Sequence, residues 1–342
     1  MKQHIDKLNK LTQLNAIASH ENEVIDYLKA NLKGKSSSDR LGSVISSQGA
    51  GKSVLITAPI DEVGMIVSYI TSRGLLKVQP VGSLPLKNVL HQRFLITSKD
   101  KTFPAVSLAK DDTSQSKNIP KNFNEVYLDA GFKSQEEVIQ AGIQIGDMIT
   151  RYSEPLIMQN DSYVAKALDG RASAYALYAL TDQLANLKVQ FNAAFTVQHK
   201  MHMKGAKTSS YKTSPDLAIN LTTHGVDLNG GDTSVKLGHG PIIYFYDKGL
   251  IAHTGLRTYM ESISKKYDIP FQLAHQLDEI GEGHYLQFTH MSAATLSLAL
   301  PIAHKNSHQE TVHLKDVDDL IKLLKHFVES LNDEVLDNLL YN

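Results

Sequence analysis

Four β-type stretches each finish in side chains able to do chemistry: Pro59-Ile60-Asp61-Glu62, Gln198-His199-Lys200, Asn220-Leu221-Thr222 and His304-Lys305-Asn306-Ser307. Carboxylates and imidazoles move protons or hold metals, and lysine and asparagine fix charged or polar ligands. In open α/β sheets, ligands bind outside the carboxyl ends of the strands. Strand ends that meet solvent are polar in any case. The clusters alone therefore leave a binding cleft and a solvated sheet edge both open.

Two other patterns lose their force on inspection. Gly49-Ala50-Gly51-Lys52-Ser53 imitates the tail of a phosphate-binding loop. The first glycine of that motif would fall on Ser46, and a strand follows where a helix N-terminus must stand to attract anions. The chain has fifteen histidines, with His199/His202 and His304/His308 at spacings of three and four. Zinc needs three or four converging ligands, and no H-E-x-x-H supplies a base beside two of them, so hydrogen-bonded or surface histidines are the simpler reading.

The elements that must position the clusters follow from periodicity. Leu8, Leu11, Leu14 and Ile17 recur at helical spacing, as do Val24, Ile25, Leu28 and Leu32 after Ser19, a candidate N-cap. Residues 53–58 form an apolar strand. Residues 68–154 alternate in short runs broken by Gly, Pro and charged turns, which predicts a small β domain. From about residue 169 helices (172–187, 258–267, 286–293, 315–331) alternate with strands (191–197, 217–221, 295–301). The expectation is an α/β domain of residues 1–67 and 155–342, a mixed sheet flanked by helices, with residues 68–154 inserted.

Composition bounds the function. The chain has 342 residues, a formal net charge of −1, and neither Cys nor Trp. Balanced charge gives no general attraction for nucleic acid or an anionic membrane. Absence of cysteine removes thiolate nucleophiles and Cys-ligated zinc. No stretch reaches the ~18–20 apolar residues of a membrane span, and the N-terminus lacks the apolar core of a signal peptide, so a cytoplasmic location is expected.

Residues 58–67, Ala-Pro-Ile-Asp-Glu-Val-Gly-Met-Ile-Val, resemble the H-x-D-E-V-G-F-x-V segment of the dinuclear metal aminopeptidases that include glutamyl aminopeptidase and the TET peptidases. Leu128-Asp129-Ala130-Gly131, Lys166-Ala167-Leu168-Asp169-Gly170-Arg171, Gly231-Asp232-Thr233 and Leu237-Gly238-His239-Gly240-Pro241 follow in the family's order. The resemblance covers essentially the whole chain and implies a metallopeptidase-like α/β fold with an inserted β domain.

For the site, the same resemblance implies loss. Family members hold two divalent metals with two histidines, a bridging Asp, a Glu and another Asp, and a second Glu serves as base. The bridging Asp falls on Asp169 and the Asp orienting the first histidine on Asp61, with Glu62 beside it. The first histidine falls on Pro59, the Glu-Glu pair on His199-Lys200, the next Asp on Asn220 and the last histidine on Asn306. Glu282 lies nearest the Asp of the family's G-T-D-A loop. Glu to Lys and Asp to Asn together shift the pocket by about three positive units, and a buried ammonium repels an incoming metal. Lys200 is therefore expected to partner Asp169 or Asp61.

These residues imply a degenerate site, catalytically inactive, with no cofactor. The chain would bind a peptide or small molecule, or serve in a homo-oligomer, a dimer or dodecamer. The alternative is an active aminopeptidase or related hydrolase, with His199 as base or one or two divalent metals (Zn, Co or Mn) on ligands drawn from Asp61, Asp169, His202 or His304.

Overall fold

The computed structural model describes residues 2–99, 101–110, 120–229, 235–289 and 292–340. Gly231-Asp232-Thr233 lies outside them. Four strands form the centre of a mixed sheet in the order Gln190–Thr196, Ser53–Pro59, Leu217–Gly225, Ala294–Ile302, and they are mutually parallel. Their carboxyl ends therefore share one edge. Antiparallel strands extend the sheet on both sides, with Val44–Gln48 against Gln190–Thr196 and Ile242–Asp247 against Ala294–Ile302.

The central strands, buried on both faces, are largely apolar, as with Val54, Leu55, Ile56 and Ala58. Alternate residues serve the two faces. Val54, Ile56, Phe191, Ile219 and Leu298 join the main core with helices Asn22–Asn31, Leu168–Gln183 and Leu314–Ser330. Leu55, Ala194 and Ala218 meet Ala206 and Leu286 in a smaller cluster beneath helices Lys204–Thr213 and Gly283–Leu286. The expected α/β architecture, a mixed sheet with helices on both faces, is the one observed.

Six antiparallel strands close a barrel in the order Gly64–Ile70, Leu76–Val81, Val126–Asp129, Lys101–Ala109, Arg93–Ser98, Met148–Arg151. Its interior is apolar, with Met65, Val78, Phe94, Ile96 and Leu128 all buried. The first barrel strand starts at Gly64, four residues ahead of the expected insert, because the chain leaves the sheet directly after Pro59-Ile60-Asp61-Glu62.

Several local expectations are corrected. The second helix is preceded by Glu21 rather than Ser19, which sits at φ 70. The helix expected at 286–293 is the single turn Gly283–Leu286, and the strand expected at 217–221 runs on to Gly225. Helices Gln135–Ala141 and Lys204–Thr213 were absent from the periodicity reading. The first is a short helix of about two turns capped by Ser134, and the second carries mostly polar residues.

A buried charge network ties the barrel to the sheet domain. Arg151, on the last barrel strand, contacts Glu310 at 2.9 Å and Glu62 at 3.6 Å, and Nη1 also donates to the Ser307 carbonyl. Lys166 Nζ lies 2.7 Å from the other Glu62 oxygen. Removing one partner from such a set leaves buried charge uncompensated. Arg151→Met is expected to lower stability by about 3–5 kcal/mol in urea unfolding monitored by circular dichroism. A loss within ~0.5 kcal/mol would show that the network does not join the two parts.

Candidate ligand-binding cleft

Asp169 enters the cleft through an irregular helix start. Ala167 has φ 61, Asp169 ψ 91 and Gly170 φ 113, a geometry only glycine adopts readily at that position. A Cβ on Gly170 would also lie 3.2 Å from the Pro59 carbonyl, so this turn packs directly on the end of strand Ser53–Pro59. The Asp169 N–H donates to Glu310 at 2.8 Å, which fixes the turn from the far side.

The carboxylate of Asp169 is fully engaged. Oδ2 lies 2.8 Å from Lys200 Nζ, while Oδ1 accepts from Thr223 Oγ1 and lies 3.9 Å from Lys305 Nζ. Burial pushes the Asp169 carboxyl up, but the two ammonium groups and the hydrogen bonds from Lys200 and Thr223 outweigh it and hold it well below its ordinary value. Lys305 also reaches Glu279 at 2.9 Å. Burial alone would lower its pKa, and Asp169 and Glu279 more than reverse this.

The turn carrying His199 and Lys200 is held from beneath by carboxylates. Asp61 accepts the N–H of His199 at 3.0 Å and of Lys200 at 2.8 Å, and Glu21 accepts that of Gln198 at 2.8 Å. Gly82 lets a barrel loop press close: a Cβ there would sit 3.0 Å from Lys200 Cβ. Asp61 is wholly buried, so its oxygens set the backbone of the turn instead of facing a ligand. Burial drives its carboxyl up despite His199, Lys200 and both N–H donors.

His199 Nδ1 lies 2.9 Å from Glu282 Oε1, which also accepts from Thr196 Oγ1 at 2.7 Å. A buried carboxylate facing Nδ1 orients the ring and leaves Nε2 for the cavity side. Glu62 is buried among Lys166 and Arg151 and lines no part of the cleft. Asn220 donates to Ser297 Oγ at 3.3 Å, and its Oδ1 has no partner. Asn306 lines the cleft, donates its N–H to Glu310 at 2.9 Å and likewise leaves Oδ1 unpartnered.

Lys200, Asp169, His199 and Asn306 thus share one cavity of about 290 Å³, with Glu282 and Asp61 supporting His199 and Lys200 from behind and Asn220 buried in strand Leu217–Gly225. Sequence reasoning missed Lys305, although it belongs to a quoted strand-end cluster, and it missed Glu310, Thr223 and Glu21. Thr223 lies two residues past the expected strand end and Glu21 at a helix-capping position, where neither carries a motif. Of the two histidine pairs, His199 and His202 both line the cleft, while His308 donates Nε2 to the Arg93 carbonyl at 2.9 Å. Burial, chiefly, with Arg151 nearby, pushes the His308 imidazole down to about 4. Among the described residues no group of three or more His, Asp or Glu is placed to hold a metal, including the set Asp61, Asp169, His202 and His304.

A parallel-centred sheet with helices on both faces, a closed barrel inserted after the second central strand's end, and polar groups gathered at the carboxyl edge define the metallopeptidase class of α/β protein. Within that class the profile of the M42 glutamyl aminopeptidases matches residues 42–323, and the chain belongs to that family. It is 28% identical over 328 residues to a putative aminopeptidase of Acetivibrio thermocellus, covering 93% of this chain and 96% of the relative. An aminopeptidase from the archaeon Desulfurococcus kamchatkensis superposes with a TM-score of 0.95 at 28% identity, covering 100% of this chain and 98% of the other. The TET1 peptidase of Pyrococcus horikoshii, which can assemble into a tetrahedron or a large octahedral shell, superposes with a TM-score of 0.88 at 25% identity, covering 96% and 100%.

The carboxylate under the turn gives a pH test. Burial is the main cause that pushes the Glu21 carboxyl from 4.5 up to about 7, opposed by the Gln198 N–H and aided by Asp61. The folded state then binds a proton that the unfolded chain releases, so this contribution is full below about pH 4.5 and is lost as pH rises through 7. Wild type should lose on the order of 2–3 kcal/mol between pH 5 and 8 relative to Glu21→Gln. Parallel stability curves for the two proteins across that range would contradict it.

Proposed function

We propose that this M42 family member is a binding protein in which the hydrolytic site has been replaced by an ammonium–carboxylate site, taking a peptide or small-molecule ligand in the old cleft. The observation that carries the reading is the 2.8 Å contact between Lys200 and Asp169, the residue on which the family's bridging ligand falls. The donor set does not suit a divalent pair. Both Asp169 oxygens are occupied, Lys200 and Lys305 bring positive charge to the spot, and the neighbouring positions supply the amides Asn220 and Asn306. Zinc hydrolysis needs an ion to acidify water and a base to receive its proton, and a lysine on the bridging carboxylate opposes the first requirement.

The domain reading assigns residues 1–67 and 155–342 to the α/β unit and 68–154 to the insert. A homo-oligomeric state is part of the proposal, by likeness to the TET1 peptidase. No helix among the described residues is long and apolar enough to cross a membrane.

Elemental analysis of the purified protein, paired with aminoacyl-anilide assays in added zinc, cobalt or manganese, tests the reading. Substoichiometric metal and no turnover are expected. Stoichiometric metal with turnover would overturn it. The combined variant Pro59→His, His199→Glu, Lys200→Glu, Asn220→Asp and Asn306→His should recover zinc binding by calorimetry where each single change does not, because an ion needs its whole coordination set.

A second reading is favoured by one observation, the buried Glu282 that holds His199 Nδ1 at 2.9 Å. Such a pair can serve as a metal-independent general base. If the unmodified protein hydrolyses a peptide or anilide, His199→Ala should lower kcat by about 10²–10⁴-fold, and Glu282→Gln should shift its pH profile. Unchanged turnover in His199→Ala would end this reading.

A further inference from the structure

Two ammonium groups converge on one buried carboxylate at the floor of the cleft, Lys200 on one oxygen of Asp169 and Lys305 near the other. Their remaining counter-charge is of a different kind. Glu279 reaches Lys305 at 2.9 Å, yet its side chain is 57% exposed while that of Lys305 is only 18% exposed. It stands between strand Gln272–Gln276 and the short helix Gly283–Leu286, flanked by Leu277 and Ile280, whose apolar side chains are also exposed. An exposed carboxylate adds little to an ion pair and keeps its alternatives in water, whereas a lysine withdrawn from solvent needs an anion beside it. Lys305 therefore has a permanent partner too distant to satisfy it and a close partner that is easily replaced.

We propose that Lys305, with Lys200 behind it, anchors the carboxylate or phosphate group of a small anionic ligand, and that Glu279 occupies this subsite until the ligand displaces it. The inference rests on the binding reading given above and names the chemistry of the ligand. With Glu279 turned out to water, two ammonium groups face one carboxylate, leaving about one unit of positive charge on the floor. Asp247, the other acid lining the cavity, does not cancel it: burial pushes its carboxyl up, and it already accepts the Gly249 N–H at 2.7 Å. Asn306 and His199 line the same cavity and offer polar atoms to the rest of the ligand. The cavity of about 290 Å³ has room for a small ligand.

Titration calorimetry of the full chain at low salt, in buffer stripped of metal by resin, with inorganic phosphate and separately with succinate, tests the subsite. One-to-one binding of at least one probe is expected. Glu279→Gln should bind it about two- to fivefold tighter, the size of an exposed ion pair removed as competitor. Lys305→Gln should weaken it about tenfold or more, and Lys305→Arg should retain it. Circular dichroism melts establish that each variant is folded. Binding of phosphate alone assigns the ligand a phosphate, and of succinate alone a carboxylate. Failure of both probes with wild type and with Glu279→Gln overturns the subsite, as does undiminished binding by folded Lys305→Gln. Because no metal is present, these outcomes are separate from the metal and turnover measurements. Turnover with metal would sink the binding-protein reading and leave a measured anion site standing.

Discussion

The contact between Lys200 and Asp169 is the constraint around which the cleft is arranged. Both groups are largely withdrawn from water, and an ion pair in that position gains net stability only when geometry is good and the remaining lone pairs are satisfied. The surrounding chain meets that condition from three directions. Thr223 donates to the second Asp169 oxygen, Glu310 fixes the Asp169 backbone, and Asp61 fixes the backbone of Lys200. Each support comes from a different element: the sheet, the strand Glu310–His313, and the segment that leaves strand Ser53–Pro59 for the barrel. The pair is thus a meeting point of the topology.

Glu310 shows how far that arrangement extends. One carboxylate oxygen holds Asp169 and the other holds both Asn306 and Arg151, while Arg151 continues to Glu62 and Lys166. The barrel therefore communicates with the cleft floor through charged groups from which water is excluded. In such surroundings each charge depends on its partner, and a loss at one end exposes a cost at the other. Glu62 belongs to this scaffold. Its place beside Asp61 in the chain suggested chemistry, but successive residues leaving a strand end point apart, and Glu62 turns inward.

Much of the fold was legible because it rests on periodicity and on turn residues. The central strands, the opening and closing helices and the β-rich insert all carry strong patterns. The carboxyl-edge clusters were legible too, and the alignment of motifs brought Asp169 and Lys200 into consideration together. Short elements such as Gly283–Leu286 and the polar helix Lys204–Thr213 were not, since their position is decided by what they cover. Lys305 and Glu21 escaped for a related reason. A lysine beside an asparagine and a glutamate at a helix start are ordinary residues until the strand order sets them against Asp169 and Gln198.

The polar groups that line the cleft carry their own physical argument. If the cleft had only a packing role, apolar side chains of similar volume would fill it at lower cost than buried charges do. Instead the positions hold amides and ammonium groups, and Asn220 Oδ1, Asn306 Oδ1 and one Glu282 oxygen are left without a partner. Buried polar groups need hydrogen-bond partners, and Asn306 lines the cavity, where water or a ligand can supply one. Such polarity supports the proposed binding role. Lys305 adds the last step. An ammonium behind a carboxylate that water readily solvates fits the exchange proposed for it, because the cost of uncovering it falls as soon as another anion arrives.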